Sequence, residues 1–571
     1  MTIHRAIPHA SGARTAGIRR RAAAAVVATA ALALTACSGP VGAAAGGAAG
    51  GAAGGASATG TAAADQWATT TTPAKGALDN VNWNLLLEPS RLDPAMTFNY
   101  GDSEVVANLC ESLQLLKPDF TIAPGLATLT PNADHTELTL AIEPKATFWD
   151  GQPVTADDVA FSLTRVWQNK EGSPWQPYFA AVKSVTAADA HTVKVTLSQG
   201  DLLFERILAT SAGAVVEKKF TAKAGQKFGT AAGGVMCSGP YTFDAWKPGT
   251  NLTIVRNDAY WRGTAAKTRQ ITFTFLSGDA TVTTALDGDA VEGMYQPPFT
   301  ALARLASHGT LAYGNSPTTF YVAPTQKQGP LRDARIRRAL FLALDRAAVA
   351  RAAFGGAARA ATSMIGPVGY GDVSHTSVPG SGGSAAELAE AKKLVGDAGS
   401  PKDEIVIAVF TGLTESMNVT LQALVEAGKS IGLTMTYKSI TLAQYYGLFG
   451  DPSGAWKAVN ADAFGTQDGP PVADPLSMYK RFGSAADPQN YGGYSNPQVS
   501  TLVDKAAGTI DPTVRNAALG DLDKLLIQTE MPWIPVVNVS NPLFLNKKVT
   551  GAPASGVNFF YPWAADLGSA S

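Results

Sequence analysis

Apolar residues fall into two alternating rhythms along this chain, and together they predict interspersed helices and strands. Val105, Val106, Leu109, Leu113 and Leu116 recur at spacings near three and four, which predicts an amphipathic helix over residues 102–116. The same grammar recurs after Thr155, where Val159, Leu163 and Val166 continue an apolar stripe behind an N-cap with Asp157 and Asp158 in the first turn. It appears again after Asp333, where Ile336, Leu340, Ala343 and Leu344 share one face, and Asp345 opens a further helix. Later helices are predicted over 385–398 and 419–431. Strands are predicted at 81–87, 138–142, 193–197, 252–256 and 271–276, with Asp150-Gly151 as a turn pair. No fixed-period repeat is present. The pattern is that of a mixed α/β protein with several lobes.

The first 66 residues follow another rule. Arg19, Arg20 and Arg21 precede an uncharged run over 22–36, which is too short for the ~20 residues of a membrane span and has the length of an export signal. Leu34-Thr35-Ala36-Cys37 closes it and resembles the lipobox of bacterial lipoproteins, which implies cleavage before Cys37 and lipidation of its sulfur. A conventional signal peptide that happens to contain a cysteine is the alternative, and Sec and twin-arginine export both stay open. Residues 38–66 are almost entirely Gly, Ala, Ser and Thr. Such a stretch buries too little apolar surface to offset its ordering entropy, and it reads as part of a flexible tether over 37–77.

About 500 residues remain beyond the tether, more than one hydrophobic core usually serves, so at least two lobes are expected. With 45 basic and 46 acidic residues the net charge is −1, and no basic block suits a phosphate backbone, which excludes nucleic acid as a natural partner. If Cys37 carries lipid, Cys110 and Cys237 remain as one pair in an oxidising compartment. A disulfide is the economical reading and two buried free thiols the alternative.

Four stretches then resemble one family, the family 5 extracytoplasmic solute-binding proteins of ABC importers. They are Leu92-Asp93-Pro94-Ala95 with 108–113 and 124–127; the run Ala146-Thr147-Phe148-Trp149-Asp150-Gly151 through Ser162; Ser238-Gly239-Pro240-Tyr241 through Trp261; and Pro330 through Arg346. Tyr494-Ser495-Asn496-Pro497 and 530–535 add a C-terminal echo. The resemblance implies an α/β, periplasmic-binding-protein-like fold (type II, cluster C), a two-lobed Venus-flytrap with an extra inserted domain. It implies lobe I from 78–110, 206–320 and 540–571, the inserted domain from 111–205, and lobe II from 321–539. Crossing strands are expected near Phe320-Tyr321-Val322 and Val536-Val537-Asn538.

The function implied is capture of an extracellular solute, foremost a short peptide, by lobe closure and delivery to a membrane permease. A nickel chelate, sugar or haem is the alternative cargo. The expected protein is a monomer without cofactor or metal, anchored by lipid at the outer face of the cell membrane. The ligand contacts carried over are Phe98, Asn99 and Tyr100, where peptide-binding relatives offer an extended backbone edge, with Tyr241, Tyr321, Phe464, Gly465 and Asp468. In such relatives a Trp precedes an Asp that pairs with the ligand α-ammonium, and an Asp-Pro follows. Here Phe464 stands in the place of the Trp, and the step from Asp468 to Asp474-Pro475 is longer. A solvated loop position is the other reading of Asp468, and core packing the other reading of the aromatics. Trp149-Asp150-Gly151, Asp333, Arg335 and Asp345 read as scaffold.

A hydrolase is the different-class alternative. The chain has no G-x-S-x-G elbow and no H-E-x-x-H helix. His135, His191, His308 and His375 stand apart without metal-ligand spacing. Ala427-Gly428-Lys429-Ser430 brushes against a phosphate loop, but Ala423 occupies the position that needs glycine.

Overall fold

The computed structural model describes residues 67–571, apart from 98, 169, 171, 264–265, 411–414 and 451–453 and the side chains of 446, 449, 450 and 455. Cys37, the export signal, the tether as far as residue 66 and Phe98 therefore lie outside the described residues. Among the described residues no helix is long and apolar enough to cross a membrane.

Three sheets organise the chain. A seven-stranded sheet runs in the order 309–314, 541–546, 293–295, 78–84, 268–274, 251–256, 241–247. Its central strand, Leu78–Asn84, lies parallel to Thr268–Thr274, and buries Val81 and Trp83. A six-stranded sheet runs 358–360, 534–539, 319–324, 463–468, 405–409, 435–439. Its central strand Thr319–Pro324 is antiparallel to both neighbours and buried throughout. A four-stranded antiparallel sheet comes from 127–131, 137–142, 192–197 and 182–187. The chain passes between the two large sheets by short links, 314 to 319 outward and 539 to 541 on return. The fold is two-lobed α/β.

The helices begin where short-range chemistry says they should. Thr155 and Asp158 exchange hydrogen bonds at the start of Ala156–Gln168, with the threonine hydroxyl donating to the carboxylate at 2.6 Å. Asp333 caps Ala334–Ala343 and Asp345 caps Arg346–Phe354, each accepting a backbone N–H. Gly151 adopts φ +82° in the turn that Asp150 tightens by accepting Gln152 N–H at 3.0 Å, so the Trp149-Asp150-Gly151 run is scaffold. Gly428 sits inside Glu415–Ser430, where an added Cβ would lie 2.0 Å from Met435 Sδ, so the segment that brushes against a phosphate loop is helix packing.

One helix is shorter than its apolar rhythm predicts. Tyr100–Leu109 ends at Cys110, and the chain beyond it turns into the strand Gln114–Leu116. Cys110 is joined to Cys237 across 127 residues, with Cα atoms 4.9 Å apart. Leu113 then donates its backbone N–H to Gly213 and Gln114 to Leu208 rather than to the preceding turn. Leu113 and Leu116 are buried by tertiary contacts instead of by a helical face.

A candidate ligand cavity between the sheets

Elements of both large sheets, together with the segment near Trp175, surround a cavity of about 370 Å³. That size lies within the ~300–1,000 Å³ typical of small-molecule sites. From the seven-stranded side come Asn99 and Tyr100 at the start of helix Tyr100–Leu109, with Phe559 and Phe560 from the C-terminal segment. From the six-stranded side come Thr466, Gln467 and Asp468, at the end of strand Ala463–Asp468, and Arg481. Trp175 and Tyr178 close a third wall. The walls are largely aromatic and apolar with a few polar groups, as ligand sites commonly are.

Local structure fixes the first wall. Asn99 is the N-cap residue: its side-chain oxygen accepts Asp102 N–H at 2.9 Å, and its amide donates to Asp102 Oδ2 at 2.8 Å. Asp102 also accepts Ser90 N–H and the Ser90 hydroxyl. Burial still pushes its carboxyl up to about 6, against the pull of those donors. The Tyr100 ring stacks on Phe559 with centroids 4.7 Å apart. Burial, and next the Asp468 carboxylate across the cavity, raise the Tyr100 phenol well above its ordinary range.

The second wall carries the charge. Asp468 Oδ2 accepts Arg481 Nη1–H, while Oδ1 accepts Gly469 N–H at 2.7 Å. The Arg481 side chain is 3% exposed and that of Asp468 21%. The guanidinium carbon lies 5.1 Å from the centroid of Trp533, whose ring Tyr491 stacks at 5.2 Å. Burial opposes the charge on Arg481, but Asp468 raises its pKa above the ordinary arginine value. Asp468 is therefore half of an ion pair at the cavity wall, rather than a solvated loop residue or a lone carboxylate.

Of the residues expected to meet ligand, Asn99, Tyr100 and Asp468 come together on this cavity, and four others stand outside its lining. Tyr241 is buried in the core behind the seven-stranded sheet, donating its hydroxyl to Thr268 O at 2.8 Å and reaching Ala564 O at 3.1 Å. Tyr321 is buried, with its hydroxyl on Met364 O and its ring edge-on to Trp533. Phe464 packs against Tyr445 and Tyr491, one layer behind the wall. Gly465 is a packing glycine, since a Cβ there would come within 2.9 Å of Phe320 and 3.0 Å of Leu421. Position along the strand accounts for Phe464 and Gly465: they precede the strand end Thr466–Asp468, which reaches the cavity, whereas Tyr241 and Tyr321 lie on other strands.

Arg481, Trp175, Tyr178 and Phe559-Phe560 are among the lining residues that sequence reasoning missed. Arg481 lies 13 residues from Asp468 on a 3₁₀ turn, so no local spacing links the two. The aromatic run Phe559-Phe560-Tyr561 near the C-terminus was the one visible signal.

The model for bacterial extracellular solute-binding proteins, family 5 (Middle), matches residues 121–490. The chain belongs to that family. Among curated relatives, the periplasmic murein peptide-binding protein MppA of Escherichia coli K12 is 24% identical over 490 residues, covering 82% of this chain and 89% of MppA. The glutathione-binding protein GsiB of Salmonella paratyphi A is also 24% identical, covering 82% and 91%. In structure, E. coli MppA superposes with a TM-score of 0.76 at 20% identity, covering 87% of this chain and 99% of its own. The ABC transporter-associated periplasmic binding protein DppA of Helicobacter pylori, solved in complex with the peptide STSA, also gives 0.76, at 18% identity over 87% of this chain and 99% of its own. As a family 5 solute-binding protein this chain is a binding protein of transport, not an enzyme, and works outside the cytoplasm.

Proposed function

We propose that this protein captures a short peptide and delivers it to an ABC permease, as a monomer held at the outer face of the cell membrane by lipid on Cys37. The observation that carries the reading is the cavity enclosed by elements of both large sheets with the Asp468 carboxylate on its wall. A ligand that touches both lobes favours the shut arrangement by its differential affinity, and the permease then reads that arrangement. Lobe I is formed by 78–110, 206–320 and 540–571, lobe II by 321–539, and 111–205 is the insertion; the placement of the three sheets supports this division. Asn99, Tyr100 and Asp468 are the contacts, with Asp468 receiving the ligand ammonium.

Thermal unfolding with di- to tetrapeptides tests the reading, because a ligand at 100 times its dissociation constant adds about 2.7 kcal/mol. Free peptides should stabilise the protein, N-acetylated ones should not, and Asp468→Ala should abolish the effect. No shift with any peptide would overturn the proposal. Cys37→Ser should move the protein from the membrane fraction to the soluble one.

A further inference from the structure

The charged side chains among the described residues of the cavity wall are Asp102, Asp468 and Arg481. Asp102 is committed to its own turn by Ser90 and Asn99. That leaves a neutral pair, Asp468 with Arg481, as the charged feature free to meet a ligand. The pair changes what the site can accept. An ammonium drawn to Asp468 competes with Arg481 for the carboxylate, and Arg481 is 3% exposed, so water cannot take over its charge. A buried charge deprived of its partner is strongly unfavourable. If instead the carboxylate holds both cations, the site carries an unbalanced positive charge in a low-dielectric pocket, which is costly for the same reason.

The guanidinium also has capacity to spare. Of its five N–H donors, one goes to Asp468, and Tyr178 draws on the guanidinium as well, which leaves donors over. The acceptor Oδ2 and the donor Nη1 are in direct contact. A ligand that answers both must therefore present a cation and an anion equally close together.

We propose that the ligand carries an α-amino-acid head, its ammonium and carboxylate on one carbon, with the ammonium on Asp468 and the carboxylate on Arg481. Ordinary α-linked peptides lack this head, because the carbon beside their ammonium carries an amide. Peptides joined through a side-chain carboxyl, such as γ-glutamyl peptides, keep it. The inference rests on the peptide-capture reading and narrows its substrate class.

Calorimetry with the purified protein tests it, using γ-glutamyl-alanyl-glycine, its α-linked isomer Glu-Ala-Gly with the same atoms and net charge, and Ala-Ala-Ala. The γ-linked compound should bind at least tenfold tighter than either α-linked peptide. In Arg481→Lys, which keeps the charge but loses the planar fork, that preference should shrink several-fold, and in a folded Arg481→Gln it should vanish. Equal or tighter binding of an α-linked peptide, or an undiminished preference in Arg481→Lys, would overturn the inference while leaving peptide capture standing. Failure of all three peptides to bind would overturn peptide capture and the inference together.

Discussion

The Glu104 carboxylate accepts the indole N–H of Trp83 at 2.7 Å, in the core behind the seven-stranded sheet. The Trp83 ring lies tilted against Trp563 with centroids 4.3 Å apart, and the Trp563 indole donates to the Glu104 backbone oxygen at 3.0 Å. Burial pushes the Glu104 carboxyl up to about 8 from an ordinary value of 4.5, and the Trp83 hydrogen bond offsets this only in part. The helix Tyr100–Leu109 thus carries a protonated acid into the core at neutral pH.

The sign of the resulting pH dependence is fixed by linkage. Below about 4.5 both folded and unfolded states hold the proton, and between 4.5 and 8 only the folded state does, so stability falls as pH rises through that window. Above 8 both states are ionised and the loss is complete. Glu104→Gln keeps an acceptor for Trp83 and has no proton to lose. Its stability should match wild type near pH 4.5 and exceed it at pH 8.5 by on the order of a few kcal/mol. Urea titrations at the two pH values measure the gap; a gap that is the same at both would refute the assignment.

Asp474 is fully buried and accepts Arg515 Nη2–H at 2.7 Å and Arg206 Nη1–H at 2.8 Å. Removing the carboxylate in Asp474→Ala leaves Arg515, 4% exposed, charged and unpaired, whereas Arg206 at 41% exposure can be hydrated. The expected loss is about 3–5 kcal/mol. Asp474→Leu combined with Arg515→Leu should recover a large part of it, since no buried charge then remains. Chemical denaturation of the single and double variants checks both statements.

The Cys110–Cys237 bond fastens the end of helix Tyr100–Leu109 to the Ser238-Gly239-Pro240 turn, where Gly239 N–H also donates to Leu109 O at 2.9 Å. An added Cβ at Gly239 would lie 2.4 Å from Leu109 O, so the approach is close on both counts. Cys110→Ser with Cys237→Ser should cost roughly 2–4 kcal/mol, as cross-links closing long loops do. Because both cysteines pack in the core behind the seven-stranded sheet and neither lines the cavity, ligand affinity should hold. Melting curves with and without reductant, paired with calorimetry, separate the two effects.

What the chain determined by itself is what neighbouring residues decide among themselves. Thr155 with Asp158, Asp333 and Asp345 cap helices through bonds spanning two or three residues, and each helix starts where its cap predicts. The apolar alternation at 137–142 and 192–197 likewise gave strands, because the period of a pleat is a local property. Tertiary structure decided what depends on residues distant in sequence. Cys110 and its pairing segment stopped a helix whose apolar rhythm ran on to Leu116. Tyr241, Tyr321 and Phe464 carry the same aromatic chemistry as Tyr100, yet the layers packed against them left only Tyr100 on the cavity. Asp468 was legible as a carboxylate near the lobe junction, but its ion-pair partner is Arg481, brought to it by a turn and held over Trp533. An electrostatic partner across a fold is chosen by distance and burial, and neither is written in the spacing of a sequence.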